Sequence, residues 1–197
     1  MTIKRYMWMD ILMLTIWAIL IDVIAYLITS WIASSTVENY FTENVFIVPS
    51  FAIIYLVYHR WGKFGFVTHG ISLILQLILY SNQIFQGLPY PFMIIISYAI
   101  FLVVLLKIKY LKNDFMNSWL GHLISFILIY ICMLSVEWLV GIIFGLHLSY
   151  LGILFRHTTN LVISTLVIII MSLQKDLITD MKSLLIEQVK QKEEDYL

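Results

Sequence analysis

Long apolar runs separated by short polar segments repeat along the whole chain. Six are legible, at roughly 8–32, 45–58, 64–81, 90–107, 118–144 and 151–172. Runs of about 20 apolar residues are long enough to carry an α-helix across about 30 Å of hydrocarbon. The pattern therefore predicts an all-α integral membrane six-helix bundle over residues 1–172. The second run is the weakest, being short with Pro49 near its start; it is either tilted or joined to the third run around Arg60–Gly65. From Leu173 the periodicity changes. Leu177, Met181, Leu185 and Val189 recur at i+4 spacing with charges on the other faces, which predicts a C-terminal cytoplasmic amphipathic helix over 173–197. As an extension of helix six it would lie on the membrane or a neighbour, or dock a partner.

Composition sharpens the class. The chain of 197 residues is 61% hydrophobic and only 12% charged, with mean hydropathy +0.93. A soluble domain carries about 25% charged residues. Net charge is zero, which argues against nucleic acid, because phosphate binding needs a basic surface. The first apolar run is too long for a signal-peptide core and has no small-residue cleavage site, so it is expected to remain as a helix. The single Cys132 lies in an apolar span and reads as a small packing residue.

Lys and Arg then orient the spans. Lys4 and Arg5 precede the first; Arg60 and Lys63 separate the second and third; Lys107, Lys109 and Lys112 separate the fourth and fifth; four lysines follow the sixth. The opposite loops hold Glu38, Glu43 and the uncharged stretch from Ser81 to Pro89. The positive-inside rule places both termini in the cytoplasm of a multi-pass plasma-membrane protein. Arg156 alone breaks the pattern.

That exception has company. Glu137 and Trp138 lie in span five, His147 and Tyr150 between the spans, and Arg156, His157 and Asn160 in span six. Ionisable groups inside a bilayer are costly unless paired or facing water, so each is a functional candidate. Glu137 and Arg156 can pair across adjacent spans. The pair either pins two helices together or lines a pocket for an anionic or zwitterionic ligand among aromatic and amide groups. The loop after span three adds Asn82, Gln83, Gln86 and Tyr90, with Gly87 and two prolines marking a turn. Asp22, in the middle of span one, would need a hydroxyl or a histidine such as His69 or His122. Catalytic signatures are missing: there is no His-Glu-x-x-His, no Gly-x-Ser-x-Gly and no Walker loop. The five histidines show no metal-ligand spacing. No catalysis, metal or cofactor is expected.

Arg60-Trp61-Gly62-Lys63-Phe64-Gly65, followed by His69-Gly70, resembles the stretch between helices two and three of the substrate-binding S components of energy-coupling-factor vitamin transporters. Trp138-Leu-Val-Gly141-Ile-Ile-Phe-Gly145 is similar to the Gly-containing aromatic fifth helix of the thiamine and riboflavin members, and Phe155 to Asn160 to their sixth. The resemblance implies six helices with both termini inside. It implies a vitamin-sized ligand held near the outer face by the loop after span three and by spans four to six. It also implies a transmembrane coupling subunit and two ATPases as partners. In that family small residues four apart on helix one meet the coupling subunit; here the position reads Ala18-Ile-Leu-Ile-Asp22, with Asp22 in place of a small residue. The charged C-terminal helix is a second departure. A ligand-sensing regulatory module that signals through that helix is the alternative reading.

Overall fold

The computed structural model describes residues 3–35, 47–81, 89–108, 118–174, 177 and 179–194. Among them every regular element is helical: α1 (Ile3–Ser35), α2 (Ser50–Trp61), a 3₁₀ turn (Gly62–Gly65), α3 (Phe66–Leu79), α4 (Pro89–Ile108), α5 (Trp119–Ile143), α6 (Tyr150–Leu173) and α7 (Met181–Glu194). Four segments are long and apolar enough to cross a membrane: Ile3–Trp31, Ser50–Leu79, Trp119–Ile143 and Tyr150–Leu173. The chain is an all-helical protein of multi-pass membrane type.

The segment Ser50–Leu79 is folded back on itself. Gln76 reaches the Ser50 hydroxyl, Tyr58 Oη lies 3.4 Å from His69 Nδ1, and Tyr80 donates to the Ile47 carbonyl. Each pair of numbers sums to nearly the same value, as two antiparallel helices require. Gly62 turns the chain at φ 60, a left-handed conformation that a Cβ disfavours. Gly65 then lets the arms close, because a Cβ there would sit 2.8 Å from Cγ of Tyr58. The short second run and the Arg60–Gly65 join are thus both explained by one helical hairpin. Its arms, of 12 and 14 residues, rise about 18 and 21 Å.

The first arm of the hairpin, α2, is the centre of the bundle. Eleven of the twelve α2 residues are buried, since its sequence is apolar on every side and α1, α3, α4, α6 and α7 all lie against it. Bonds from α1 fix direction: Asp10 meets Arg60, Thr15 meets Thr68, and Asp22 meets Ser50. So α1 runs against α2 and along α3. On the far side Tyr55 meets His122 and Val48 meets Asn160. Helices successive in the chain alternate in direction, and the start of α1 and the end of α6 share one end of the bundle. Phe51, Tyr98, Phe101, Phe126 and Tyr130 form the aromatic centre of the main core.

Two expectations need correction and a third is met in part. The C-terminal helix does not continue α6: the helix stops at Leu173, Gln174 takes φ −97 and ψ 89, and α7 restarts at Met181 under Asp180, whose carboxylate accepts from Ser183 N–H. In the stripe, Met181 is buried while Leu177 and Val189 are exposed. Cys132 is exposed on the outer surface of α5 and is not a packing residue. Asp22 meets the hydroxyl among its expected partners, that of Ser50, and bonds neither His69 nor His122. It accepts from Ser50 N–H at 3.0 Å and faces the Gln76 amide at 3.5 Å, while the two histidines pair with Tyr58 and Tyr55.

Candidate functional site

Helical spacing builds the cluster. On α6 the buried face repeats at Ile153, His157, Asn160 and Ser164, the i, i+4, i+7 rhythm of one helix side. Arg156 precedes that face by one residue and sits at its edge, with a quarter of its side chain exposed. On α5, Tyr130 and Glu137 are seven residues apart and both buried. A tight link brings the two helices together. Gly145 takes φ 75, Leu146 N–H bonds the Gly141 carbonyl and Gly145 N–H bonds that of Ile142. This is a Schellman cap, closed by a left-handed glycine. A Cβ on Gly141 would lie 2.8 Å from Cδ1 of Leu148, so the link folds directly onto the helix it leaves.

The resulting contacts form one continuous chain. Val48 N–H donates to Asn160 Oδ1 at 2.8 Å. Asn160 Nδ2 donates to Tyr130 Oη at 2.7 Å, and Tyr130 Oη lies 3.0 Å from His157 Nδ1. His157 Nε2 is 3.3 Å from Glu137 Oε2, and Arg156 Nη2 donates to Glu137 Oε1. Because Tyr130 already accepts from Asn160, its own hydroxyl proton is free to point at His157 Nδ1. His157 then carries its proton on Nε2 and offers it to Glu137, a consistent set of donors and acceptors for a neutral ring.

Within this chain both Glu137 oxygens, both His157 nitrogens and both ends of the Asn160 amide are engaged. One group is left over. Arg156 Nε is buried and has no hydrogen-bond partner among the described residues. The unfilled capacity is a donor on a cation, and a buried donor without an acceptor costs about 1–3 kcal/mol. Next to Glu137 in sequence, Trp138 meets Tyr150 edge to face, with ring centroids 5.8 Å apart. Trp138 is fixed by its indole N–H on the Leu148 carbonyl, and Tyr150 Oη lies 3.4 Å from Ser135 Oγ.

Of the residues expected at a site, Glu137, Arg156, His157 and Asn160 share the network, whereas Trp138 and Tyr150 pair with each other. His147 is exposed on the α5–α6 link. Tyr90 belongs to the first turn of α4; Asn82, Gln83 and Gln86 lie outside the described residues. Ala18 and Asp22, the positions matched to a subunit-docking patch, are buried at 0% and 2% exposure against the hairpin. They face the interior of this bundle rather than its outer surface.

Sequence reasoning missed Tyr130, the link between Asn160 and His157. Its signal was available: a phenol two helical turns before Glu137 shares that residue's face. The Val48 backbone donor left no such signal. A second buried network was missed as well, running from Asp22 through Gln76, whose side-chain oxygen accepts from Tyr98. At the opposite end of the bundle Asp10 accepts from Arg60 Nε at 2.9 Å, Arg60 Nη2 at 3.1 Å and Trp61 Nε1 at 2.6 Å. No three His, Cys, Asp or Glu side chains among the described residues are grouped to hold a metal ion. No family model, no curated protein and no solved structure matches this chain.

Proposed function

We propose that this chain is the membrane-embedded binding component of an uptake transporter for a small, vitamin-sized organic ligand bearing an acidic group. The observation that carries the reading is the buried Arg156 Nε, which has no partner among the described residues, beside a Glu137 carboxylate already engaged by Arg156 Nη2 and His157. A ligand acceptor would satisfy this donor, and a carboxylate matches the planar donor fork of a guanidinium. Trp138 and Tyr150 offer the apolar walls that small-molecule sites usually have. In this reading α1, α4, α5 and α6 cross the bilayer, the hairpin, whose arms of 12 and 14 residues are each too short for a full span, enters it from the outer side, and the charge bias puts both termini and α7 in the cytoplasm. Arg156 and Glu137 then lie toward the outer face. The chain has no catalytic step of its own; a coupling subunit and ATPases supply the energy.

A second reading is favoured by a separate observation. Arg60 Nη1 donates to the Leu177 carbonyl at 2.8 Å, and Met181 of α7 packs in the cluster that contains Trp61. The C-terminal segment is thus bonded to the core, as a signalling helix would be. Mass spectrometry of small molecules retained by the purified protein tests the binding role. An acidic organic compound bound at one site supports it; a protein that retains and binds no acid from a metabolite mixture refutes it. Co-purification of ATPase subunits separates the transporter from the sensor.

A further inference from the structure

The polar chain does not end among side chains. It ends on the backbone at the start of α2, and α2 reaches the other end of the bundle. We propose that α2 is a transmission rod, through which the state of the Glu137–Arg156 cluster sets the docking of the C-terminal segment some 18 Å away.

At the cluster end, α2 has no local side-chain cap: Pro49 precedes it and offers none. The exposed donors of a helix start are instead satisfied by two other helices. Asn160 of α6 takes Val48 N–H, and Asp22 of α1 takes Ser50 N–H. The Asn160 cap is held by Tyr130, which is held by His157, which is held by Glu137. Asn160, Tyr130 and His157 each donate once and accept once, and Glu137 accepts from His157 and Arg156, so the chain is satisfied only as a whole. Half-satisfied buried networks are costly. A ligand that draws Arg156 from Glu137, or shifts Glu137 against His157, therefore changes the cap on α2.

The rod is stiff for a stated reason. Eleven of its twelve residues are buried, and close-packed interiors transmit displacement rather than absorb it. Its far end carries Arg60 and Trp61. Arg60 holds Asp10 of α1 with two nitrogens and the Leu177 carbonyl with a third. One guanidinium thus joins α2, α1 and the segment leading to α7, so a shift of α2 along or about its axis must be shared with that segment. The coupling serves a transporter or a sensor equally. Its failure would leave the binding site standing.

Hydrogen exchange of the full chain in lipid nanodiscs tests this. Tyr130→Phe removes one hydroxyl and little else. The expected result is exchange roughly fivefold or more faster in two separated places, residues 47–52 and 177–189, with 93–101 of α4 unchanged. Ser135→Ala, which touches Tyr150 and not the chain, should alter neither place. Adding Arg60→Gln to Tyr130→Phe should leave the difference at 47–52 and abolish the further difference at 177–189. If Tyr130→Phe changes only α5 and α6, the transmission is refuted. Uniform acceleration that includes α4 also overturns it, since that is general loosening.

Discussion

Removing Arg156 and removing Glu137 should have unequal effects on stability, because the two sit at different depths. The Glu137 side chain is 3% exposed and that of Arg156 25%. Arg156→Ala leaves a carboxylate buried with only the His157 ring N–H as a partner. Breaking a buried pair by deleting one member costs about 3–5 kcal/mol; the partial exposure of Arg156 brings this to about 2–3 kcal/mol, since water can enter the vacated space. Glu137→Gln leaves a guanidinium that can turn toward water and an amide oxygen that can still accept from it. The cost there is about 1–2 kcal/mol, mainly from placing an amide N–H₂ against His157 Nε2–H. The double variant Glu137→Gln/Arg156→Ala removes both charges and should be more stable than Arg156→Ala alone. Thermal unfolding in mild detergent, followed by tryptophan fluorescence, reads the order. At about 2–4 °C per kcal/mol for a chain of this size, Arg156→Ala should melt about 4–12 °C below the wild type, yet remain folded at 25 °C. A double variant as unstable as the sum of the two singles would refute the pairing argument, and so would an Arg156→Ala protein that melts with the wild type.

Two further outcomes follow from the hairpin. Gly65→Ala would place a Cβ 2.8 Å from the Tyr58 ring and should cost about 1–3 kcal/mol; in a Tyr58→Ala background the same substitution should cost less in the same melting assay. Asp22→Ala should cost about 1–2 kcal/mol through the lost cap on Ser50 N–H. Asp22→Asn, whose amide oxygen can still accept, should lose less than half as much; equal losses would show that capping is not what Asp22 does.

The fold was legible where the pattern is long. Five of the six apolar runs correspond closely to α1 and α3–α6, because a run of twenty apolar residues allows few alternatives. The second run was ambiguous for a physical reason. A helix buried on every side has no polar face, so periodicity says nothing of its ends, and only Gly62 and Gly65 hint that the chain reverses. At the site, Glu137, Arg156, His157 and Asn160 were recognisable because charge and amide groups in an apolar span need partners. Tyr130 was not, since a tyrosine in such a span draws no attention until its neighbours are known. Asp22 found the hydroxyl expected of it, at Ser50, together with a backbone N–H at the same helix start, a group present at every residue and hence invisible in sequence. The α6–α7 break escaped notice because the i+4 stripe runs through it unbroken.

The central claim is that Arg156 holds the acidic group of a ligand. The most direct test is ligand retention by Arg156→Gln beside the wild type, at a temperature where both are folded, with the acid found in the wild-type preparation as the probe. The account predicts that the variant retains less than a tenth of the wild-type amount, while Ser135→Ala retains all of it. Equal retention by Arg156→Gln and the wild type would contradict it, and the ion pair would then be only a brace between α5 and α6.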